Sequence, residues 1–282
     1  MSKSLILQAG TQPYPGYTLR QFLGRGGWGD VWKAEREDGQ VFALKFLPCD
    51  NVLTAPYEVR ALQAIRQLRH EHLLQMENIW SCPGYLVIVM ELAEGNLHDL
   101  LDICFTELNA PVQPDHVCHF LKQAAKALDF LNARKHLVDN QIVAFRHCDV
   151  KPSNLLLVNG SVRVGDFSLA FKTTSRMGPH ARTGTLHYAA PEVFGGMVSD
   201  RSDQFSLAVT YFQLRTGQFP FPNPPGKFTT GYMRPAPDLS ALLPDEQRAL
   251  ARGLSTVPQD RWPSCVEMMD QLSRCIVGKS VA

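Results

Sequence analysis

The pattern of apolar and polar positions changes character once along this chain. From Tyr17 to Val89 it favours strands. Val31-Trp32-Lys33-Ala34 and Val41-Phe42-Ala43-Leu44-Lys45-Phe46 flank Asp38-Gly39, a strong hairpin signal. The apolar run from Tyr85 to Met90 suits a buried strand. One helix interrupts the region, because Val59, Leu62, Ile65 and Leu68 recur at three-residue intervals. After residue 94 helical periodicity takes over. Pro114-Asp115 opens a helix whose apolar face is Val117, Phe120, Leu121, Ala124, Leu128 and Leu131. A second helix runs from Ser202 to Leu214 and closes at Thr216-Gly217, and others cover Asp245 to Leu254 and Pro263 to Arg274. Between them, Pro220, Pro222, Pro224, Pro225, Pro235 and Pro237 mark an irregular connection. Residues 1–16 end in Gln12-Pro13-Tyr14-Pro15-Gly16 and are expected to form a flexible lead-in, and residues 278–282 a tail. The pattern predicts an α+β chain. A small β-rich lobe with one main helix (17–93) joins a larger helical lobe (94–277), with a cleft between them.

Composition narrows the classes of function. The chain has 282 residues and 45% hydrophobic content, enough for a substantial core. Its 28 basic and 27 acidic residues leave a formal charge of +1, which gives no electrostatic reason to expect nucleic acid or an anionic membrane as partner. Seven cysteines without a CxxC pair read as reduced thiols and not as a disulfide framework or zinc site. No apolar run approaches membrane-spanning length, and Leu5-Ile6-Leu7 is too short for a signal-peptide core. A cytoplasmic protein is the expectation.

The densest chemistry lies in His147-Cys148-Asp149-Val150-Lys151-Pro152-Ser153-Asn154. It places a carboxylate, an ammonium and an amide in one short loop, and Asp166-Phe167-Ser168 begins seventeen positions after Asp149. Phosphoryl transfer from Mg-ATP needs such a set: one acid orients the attacking hydroxyl, while the amide and the other acid hold metal ions against the phosphates. Upstream, Gly24-Arg25-Gly26-Gly27-Trp28-Gly29-Asp30-Val31 fits GxGxxGxV. Its glycines let backbone approach phosphate oxygens, although a glycine-rich hairpin also serves as a plain turn. Strand-like flanks argue against a dinucleotide fold, which needs a helix directly after the glycines. Lys45 sits in an apolar strand, where either an anion meets it or it snorkels to water.

Taken together these motifs resemble the protein kinases of the Ser/Thr type, and especially the eukaryotic-like kinases of bacteria, over residues 17 to 275 and in the family's order. Gly24, Gly26, Gly29 and Val31 match the glycine-rich loop, Ala43 and Lys45 the lysine strand, and Glu58 the helix glutamate that pairs with the lysine. Asp149 and Asn154 match the catalytic loop, Asp166-Phe167 the metal-binding triplet, and Ala190-Pro191-Glu192 the end of the activation segment.

The resemblance implies ATP as phosphate donor, Mg²⁺ (or Mn²⁺) as cofactor, and protein Ser/Thr hydroxyls as acceptors, the chain's own included. It makes Asp149 the base, Lys151 the neutraliser of the γ-phosphate, and Asn154 and Asp166 the metal ligands. It puts Met90 beside the adenine, the backbone of Glu91 and Ala93 on its polar edge, and Leu23, Val31, Ala43 and Leu156 on its faces. Three residues read as scaffold: Thr185 bridging Asp149 and Lys151, Asp203 organising the catalytic loop, and Arg261 paired with Glu192. Thr185 reads equally as a turn threonine and Asp203 as a helix cap.

Two positions depart from the family pattern. Cys148 stands where an arginine normally receives an activation-loop phosphate, so activity is expected not to depend on phosphorylation acting through that position. Cys148 reads as an inert thiol or a redox switch. Ser168 replaces a glycine, and its Cβ is expected to disfavour the rearrangement that swings Phe167 out. The stretch from Phe171 to Tyr188 carries Lys172, Arg176 and Arg182 and no acids, and offers Thr173, Thr174, Ser175 and Thr183 as phosphate acceptors. It reads as a solvated loop or as a surface for acidic peptides. A pseudokinase scaffold and a small-molecule kinase are the competing functions. The Ala-Pro-Glu motif and Thr185 disfavour the second. Substrate, activating signal and oligomeric state are not legible, and Lys135 to Phe145 is longer than the family's usual link into the catalytic loop.

Overall fold

A computed structural model of the chain describes residues 5–26, 29–48, 55–179, 184–229 and 231–277. The chain divides into two compact units, Met1–Arg69 with Leu74–Glu94, and His70–Leu73 with Gly95–Ala282.

The first unit is built on β1 (Tyr17–Gly26), β2 (Gly29–Arg36), β3 (Val41–Pro48), helix α1 (Ala55–Gln67), β4 (Met76–Cys82) and β5 (Tyr85–Glu91). The strands form one antiparallel sheet in the order β1-β2-β3-β5-β4. Successive side chains of a strand point to opposite faces. Phe42, Leu44 and Phe46 of β3 therefore join Leu19, Ala34, Val87 and Val89 in one buried cluster. Ala43 and Lys45 fall on the other face. Residues 5–16 are not the loose lead-in their prolines suggest. Leu5 donates its N–H to Pro83 O (3.0 Å), Gly10 to Leu19 O (2.8 Å) and Leu19 to Thr11 O (2.9 Å). Leu7 packs on the core, and the Tyr14 ring lies 4.6 Å from Trp80. Apolar anchors and paired backbone groups tie this segment to the edge of β1.

The second unit opens with β6 (Gly95–Asn96) and α2 (Leu97–Asp102) and continues through α3 (Pro114–Asn132). The long link before the catalytic loop is a hairpin, β7 (His136–Val138) and β8 (Gln141–Arg146). Its turn, Asp139-Asn140, has both φ positive (50° and 60°), the geometry of a tight two-residue hairpin turn. A second hairpin follows, β9 (Leu155–Val158) and β10 (Ser161–Val164), turning at Asn159-Gly160. Strand β11 (Phe171–Thr173) pairs with β8, and β12 (Met177–Pro179) pairs with β13 (Met197–Ser199), beyond the short helix α4 (Pro191–Phe194). The remaining helices are α5 (Ser202–Thr216), α6 (Pro244–Gly253) and α7 (Cys265–Val277).

Every residue of α5 from Ser202 to Leu214 is buried, and Gly217 ends it in the left-handed conformation (φ 72°). Helix α7 is started from α3: the Asp129 carboxylate accepts the N–H groups of Cys265 (2.8 Å) and Val266 (2.9 Å), which have no partner within their own helix.

Candidate active site

The residues with acid–base and metal-binding character meet because of local chain geometry in the second unit. The β9–β10 hairpin pairs Leu155 with Val164, so residue 154 returns beside residues 165 and 166. Gly165 then donates its N–H to Asn154 O (3.0 Å), fixing Asp166 next to the catalytic loop. Inside the loop, buried His147 carries its hydrogen on Nε2 and donates it to Gly165 O (2.7 Å), while its Nδ1 accepts the Asp149 N–H (3.3 Å). The loop is held from below by Asp203, whose carboxylate accepts the N–H groups of His147 (2.8 Å) and Cys148 (2.9 Å). Asp203 thus organises the loop. No side-chain bond caps α5.

Asp149 is only 4% exposed, yet both of its carboxylate oxygens are bound. Oδ1 accepts from Thr185 N (3.0 Å) and Oγ1 (2.8 Å). Oδ2 accepts from Asn154 Nδ2 (3.0 Å) and meets Lys151 Nζ at 2.8 Å. Lys151 Nζ also donates to Thr185 Oγ1 (2.7 Å), so the threonine bridges acid and lysine and is no mere turn residue. Thr185 comes this close because its neighbour is glycine. Gly184 has φ +109°, and a Cβ there would stand 2.7 Å from Cys148 O. The spacing of Gly184 before Thr185 is a sequence signal for this contact that pattern reading passed over. Asp166 has left-handed backbone (φ 58°) and caps the short 3₁₀ turn Phe167–Leu169. The Phe167 ring packs edge-on against His147, centroids 5.4 Å apart. Leu156 of β9 pairs with Asn96 and Arg163.

In the first unit, cross-strand register sets Val31 and Ile88 opposite Lys45, and Met90 opposite Ala43. Val31, Ala43, Lys45 and Met90 therefore share the sheet face away from the core cluster, with Lys45 only 5% exposed. Glu91 ends β5 and is tied to the entry of β4: its N–H donates to Gln75 O (3.1 Å), and its Oε1 accepts the Gln75 N–H (2.8 Å). Ala93 lies just beyond the end of β5, and Leu23 lies in β1 at a register shift between Phe22 and Gly24. Glu58 belongs to α1, but its side chain is outside the described residues.

The glycines separate into two kinds. Gly29 (φ +149°) is demanded by the fold, since a Cβ would sit 1.9 Å from Phe46 O. Gly24 has nothing within 4 Å of an added Cβ, and Gly26 only Gly29 O at 3.9 Å. Gly29→Ala should therefore destabilise the chain by about 3 kcal/mol. Gly24→Ala and Gly26→Ala should stay within about 0.5 kcal/mol in urea unfolding.

The protein kinase domain profile matches residues 17–263. The chain belongs to the protein kinase family. It is 28% identical over 287 aligned residues to the serine/threonine-protein kinase PknF of Mycobacterium tuberculosis, covering 94% of this chain and 57% of PknF. With PknH of the same organism it shares 28% identity over 266 residues, 89% of this chain and 40% of PknH. It thus spans little more than half the length of one relative and less than half of the other. A crystal structure of the M. tuberculosis PknI kinase domain, solved as a point mutant, superposes with a TM-score of 0.71 at 26% identity, over 96% of this chain and 99% of that one. The fold is the bilobal kinase fold, with a β-rich first unit and a helical second.

Within this kinase fold the two departures acquire local explanations. Cys148 has φ 66°, and burial, followed by the charges of Asp203 and Asp149, pushes its thiol well above the usual cysteine range. Its Sγ also donates to Arg146 O (3.6 Å), and both features favour the inert-thiol reading over the redox one. Iodoacetamide should modify it on the order of 10²-fold more slowly than a free cysteine, with full labelling only in denaturant, as read by peptide mass spectrometry. Ser168 is not in positive-φ backbone, so its Cβ is unstrained in this conformation. Its hydroxyl donates to Asp166 Oδ1 (2.7 Å).

The sequence reading also overlooked Arg146. Its side chain is buried, donates from Nη1 to Asn132 Oδ1 (2.6 Å) and from Nη2 to Ser175 O (3.3 Å), and keeps Nε unmatched. Burial pulls this guanidinium below the usual arginine range. Together with the β8–β11 pairing and the Lys172–Asp139 ion pair (3.2 Å), it holds the start of the activation segment through unmodified groups. Lys172 is thus partnered, whereas the Arg176 side chain is largely exposed and stands 3.9 Å from Asp200, as on a solvated loop. Arg182 and Thr183 lie outside the described residues.

Proposed function

We propose that the chain is an active protein kinase that transfers the γ-phosphate of ATP to Ser/Thr hydroxyls of proteins, its own included. The observation that carries this is the Asp149 carboxylate, buried and held by Thr185, Lys151 and Asn154 at 2.8–3.0 Å. A scaffold that only bound nucleotide would have no use for so defined an acid.

Asp149 accepts the proton of the acceptor hydroxyl as its oxygen bonds to the γ-phosphorus and ADP leaves. Thr185 keeps Oδ1 in place. Lys151, whose side chain is 22% exposed, is the partner able to turn from Oδ2 to the γ-phosphate. The oxygen donors of Asp166 and Asn154 suit a hard cation such as Mg²⁺, with Mn²⁺ as substitute. When bound, the ion neutralises charge on the phosphates. Lys45, buried on the same sheet face as Val31, Ala43 and Met90, is the cation that would meet phosphate oxygens. The open space over Gly24 and Gly26 lets their backbone approach those oxygens. Leu23, Val31, Ala43, Met90 and Leu156 provide apolar walls for adenine, and the backbone of Glu91 and Ala93 its polar contacts.

Among the described residues no helix is long and apolar enough to cross a membrane. Free cysteines and dependence on ATP favour a cytoplasmic site of action. The near-zero charge offers nucleic acid no footprint. The test is transfer of labelled γ-phosphate to myelin basic protein and to the chain itself, with phosphosites mapped by mass spectrometry. Nucleotide binding without transfer to either would overturn the proposal.

A further inference from the structure

Four consecutive carbonyls follow Thr185, and every one has a side-chain donor. Ser206 Oγ donates to Tyr188 O (2.9 Å). The other three belong to a single residue, Arg234: Nη2 donates to Leu186 O (2.5 Å) and His187 O (3.1 Å), and Nε to Ala189 O (3.0 Å). The same short segment is closed internally, since Thr185 O accepts the N–H groups of Tyr188 (3.0 Å) and Ala189 (3.2 Å). Its first residue is the one that grips Asp149. A continuous set of hydrogen bonds therefore runs from Arg234 through residues 185–189 to the catalytic acid.

Arg234 is an expensive way to fill its position. It is 6% exposed, no carboxylate pairs with it among the described residues, and Nη1 is buried without a partner. Its guanidinium lies against the rings of Phe221 (4.8 Å), Phe194 (5.3 Å) and Phe205 (5.7 Å). Burial lowers its pKa to about 10. An aliphatic side chain would suit that aromatic cage better, and would leave the three carbonyls without donors. With those carbonyls turned inward, the side chains of Leu186 and His187, the two residues after Thr185, are left partly exposed.

We propose that Arg234 is a positioning residue for the protein substrate: it shapes the segment 185–189, whose first residue holds Asp149 and whose Leu186 and His187 side chains are partly exposed, and so sets the acceptor hydroxyl against Asp149. This rests on the kinase reading above. Arg234 touches neither nucleotide-binding nor acid–base groups. Its effect belongs in recognition of the acceptor.

The test uses R234K and R234Q in the full chain. Lysine keeps the charge but offers a point donor that cannot span three carbonyls. Both variants should unfold cooperatively near the wild-type temperature. Amide exchange at Tyr188 and Ala189 should accelerate about tenfold or more. KM for myelin basic protein should rise roughly tenfold, with KM for ATP within about twofold. Unchanged exchange and KM, parallel changes in both KM values, or loss of the fold in both variants would overturn the proposal. A wild-type chain that phosphorylates neither myelin basic protein nor itself would instead remove the kinase reading, and the exchange measurement, which needs no activity, tells the two failures apart.

Discussion

Asp149→Asn lowers the rate of γ-phosphate transfer by about 10²–10⁴-fold, the usual contribution of a positioned general base. The replacement has the same shape, and its remaining oxygen still accepts from Thr185 N and Oγ1 as Oδ1 does now. What it loses is the second carboxylate oxygen, which now meets Lys151 Nζ and Asn154 Nδ2. An amide NH₂ there confronts two donors, so the local hydrogen bonds rearrange at a cost of about 1–3 kcal/mol. The chain should remain folded, and nucleotide affinity should shift little, because in the proposed mechanism this acid acts on the acceptor and not on ATP. The measurement is initial-rate transfer to myelin basic protein at saturating ATP, beside direct nucleotide titration. Transfer at the wild-type rate would remove Asp149 from the chemistry. Loss of nucleotide binding in equal measure would make the effect structural.

How much of this was legible beforehand depends on how local the determinants are. The catalytic loop, the Asp166 triplet and the glycine-rich strands are short motifs whose spacing is their signal. Thr185 and Asp203 were foreseen with alternatives that contacts alone resolve: Thr185 bonds both Asp149 and Lys151, and Asp203 holds two loop amides. The hairpin at residues 136–146 carried its mark in Asp139-Asn140, a pair that tolerates positive φ, but without a glycine the mark is weak. Helix α5 shows no polar stripe because it is buried on all sides, so its boundaries came from Gly217 and the residues before it. Arg146 and Arg234 were not legible. Each acts on backbone carbonyls tens of residues away, and a carbonyl looks the same in every residue. The lead-in failed for a related reason: turn residues near a terminus suggest looseness, and the contacts that pin residues 5–16 come from Pro83, Leu19 and Trp80.

Arg261→Leu should destabilise the second unit by about 3–5 kcal/mol, the loss expected when one member of a buried ion pair is removed. The pair is bidentate, with Arg261 Nη1 and Nη2 each 2.8 Å from Glu192. Arg261 also donates to Ser255 O (2.9 Å) and Arg201 O (2.9 Å), so one side chain joins α4, the start of α5 and the turn before α7. Burial pushes the Glu192 carboxyl up, but the Arg261 hydrogen bonds and charge, with Ser202, more than offset it and leave the group below the usual carboxylate range. A depressed folded-state value contributes stability that is complete above the unfolded value near 4.5 and is lost as pH falls through the folded value. Without Arg261 the burial remains and its main compensation is gone, so the folded-state value rises above the unfolded one. The variant then gains stability on acidification, through protonation of Glu192, where the wild type loses it. The gap between the two proteins should accordingly be widest at neutral pH and narrow towards pH 4, a comparison in which titration of all other carboxyls largely cancels. Adding Glu192→Gln should recover part of the loss at neutral pH and abolish the narrowing, because no charge is left buried. Urea unfolding of the wild type and both variants at several pH values decides the matter. A loss under about 1 kcal/mol would place this pair with ion pairs of the exposed kind, and a gap that does not depend on pH would mean that Glu192 is not the group left uncompensated.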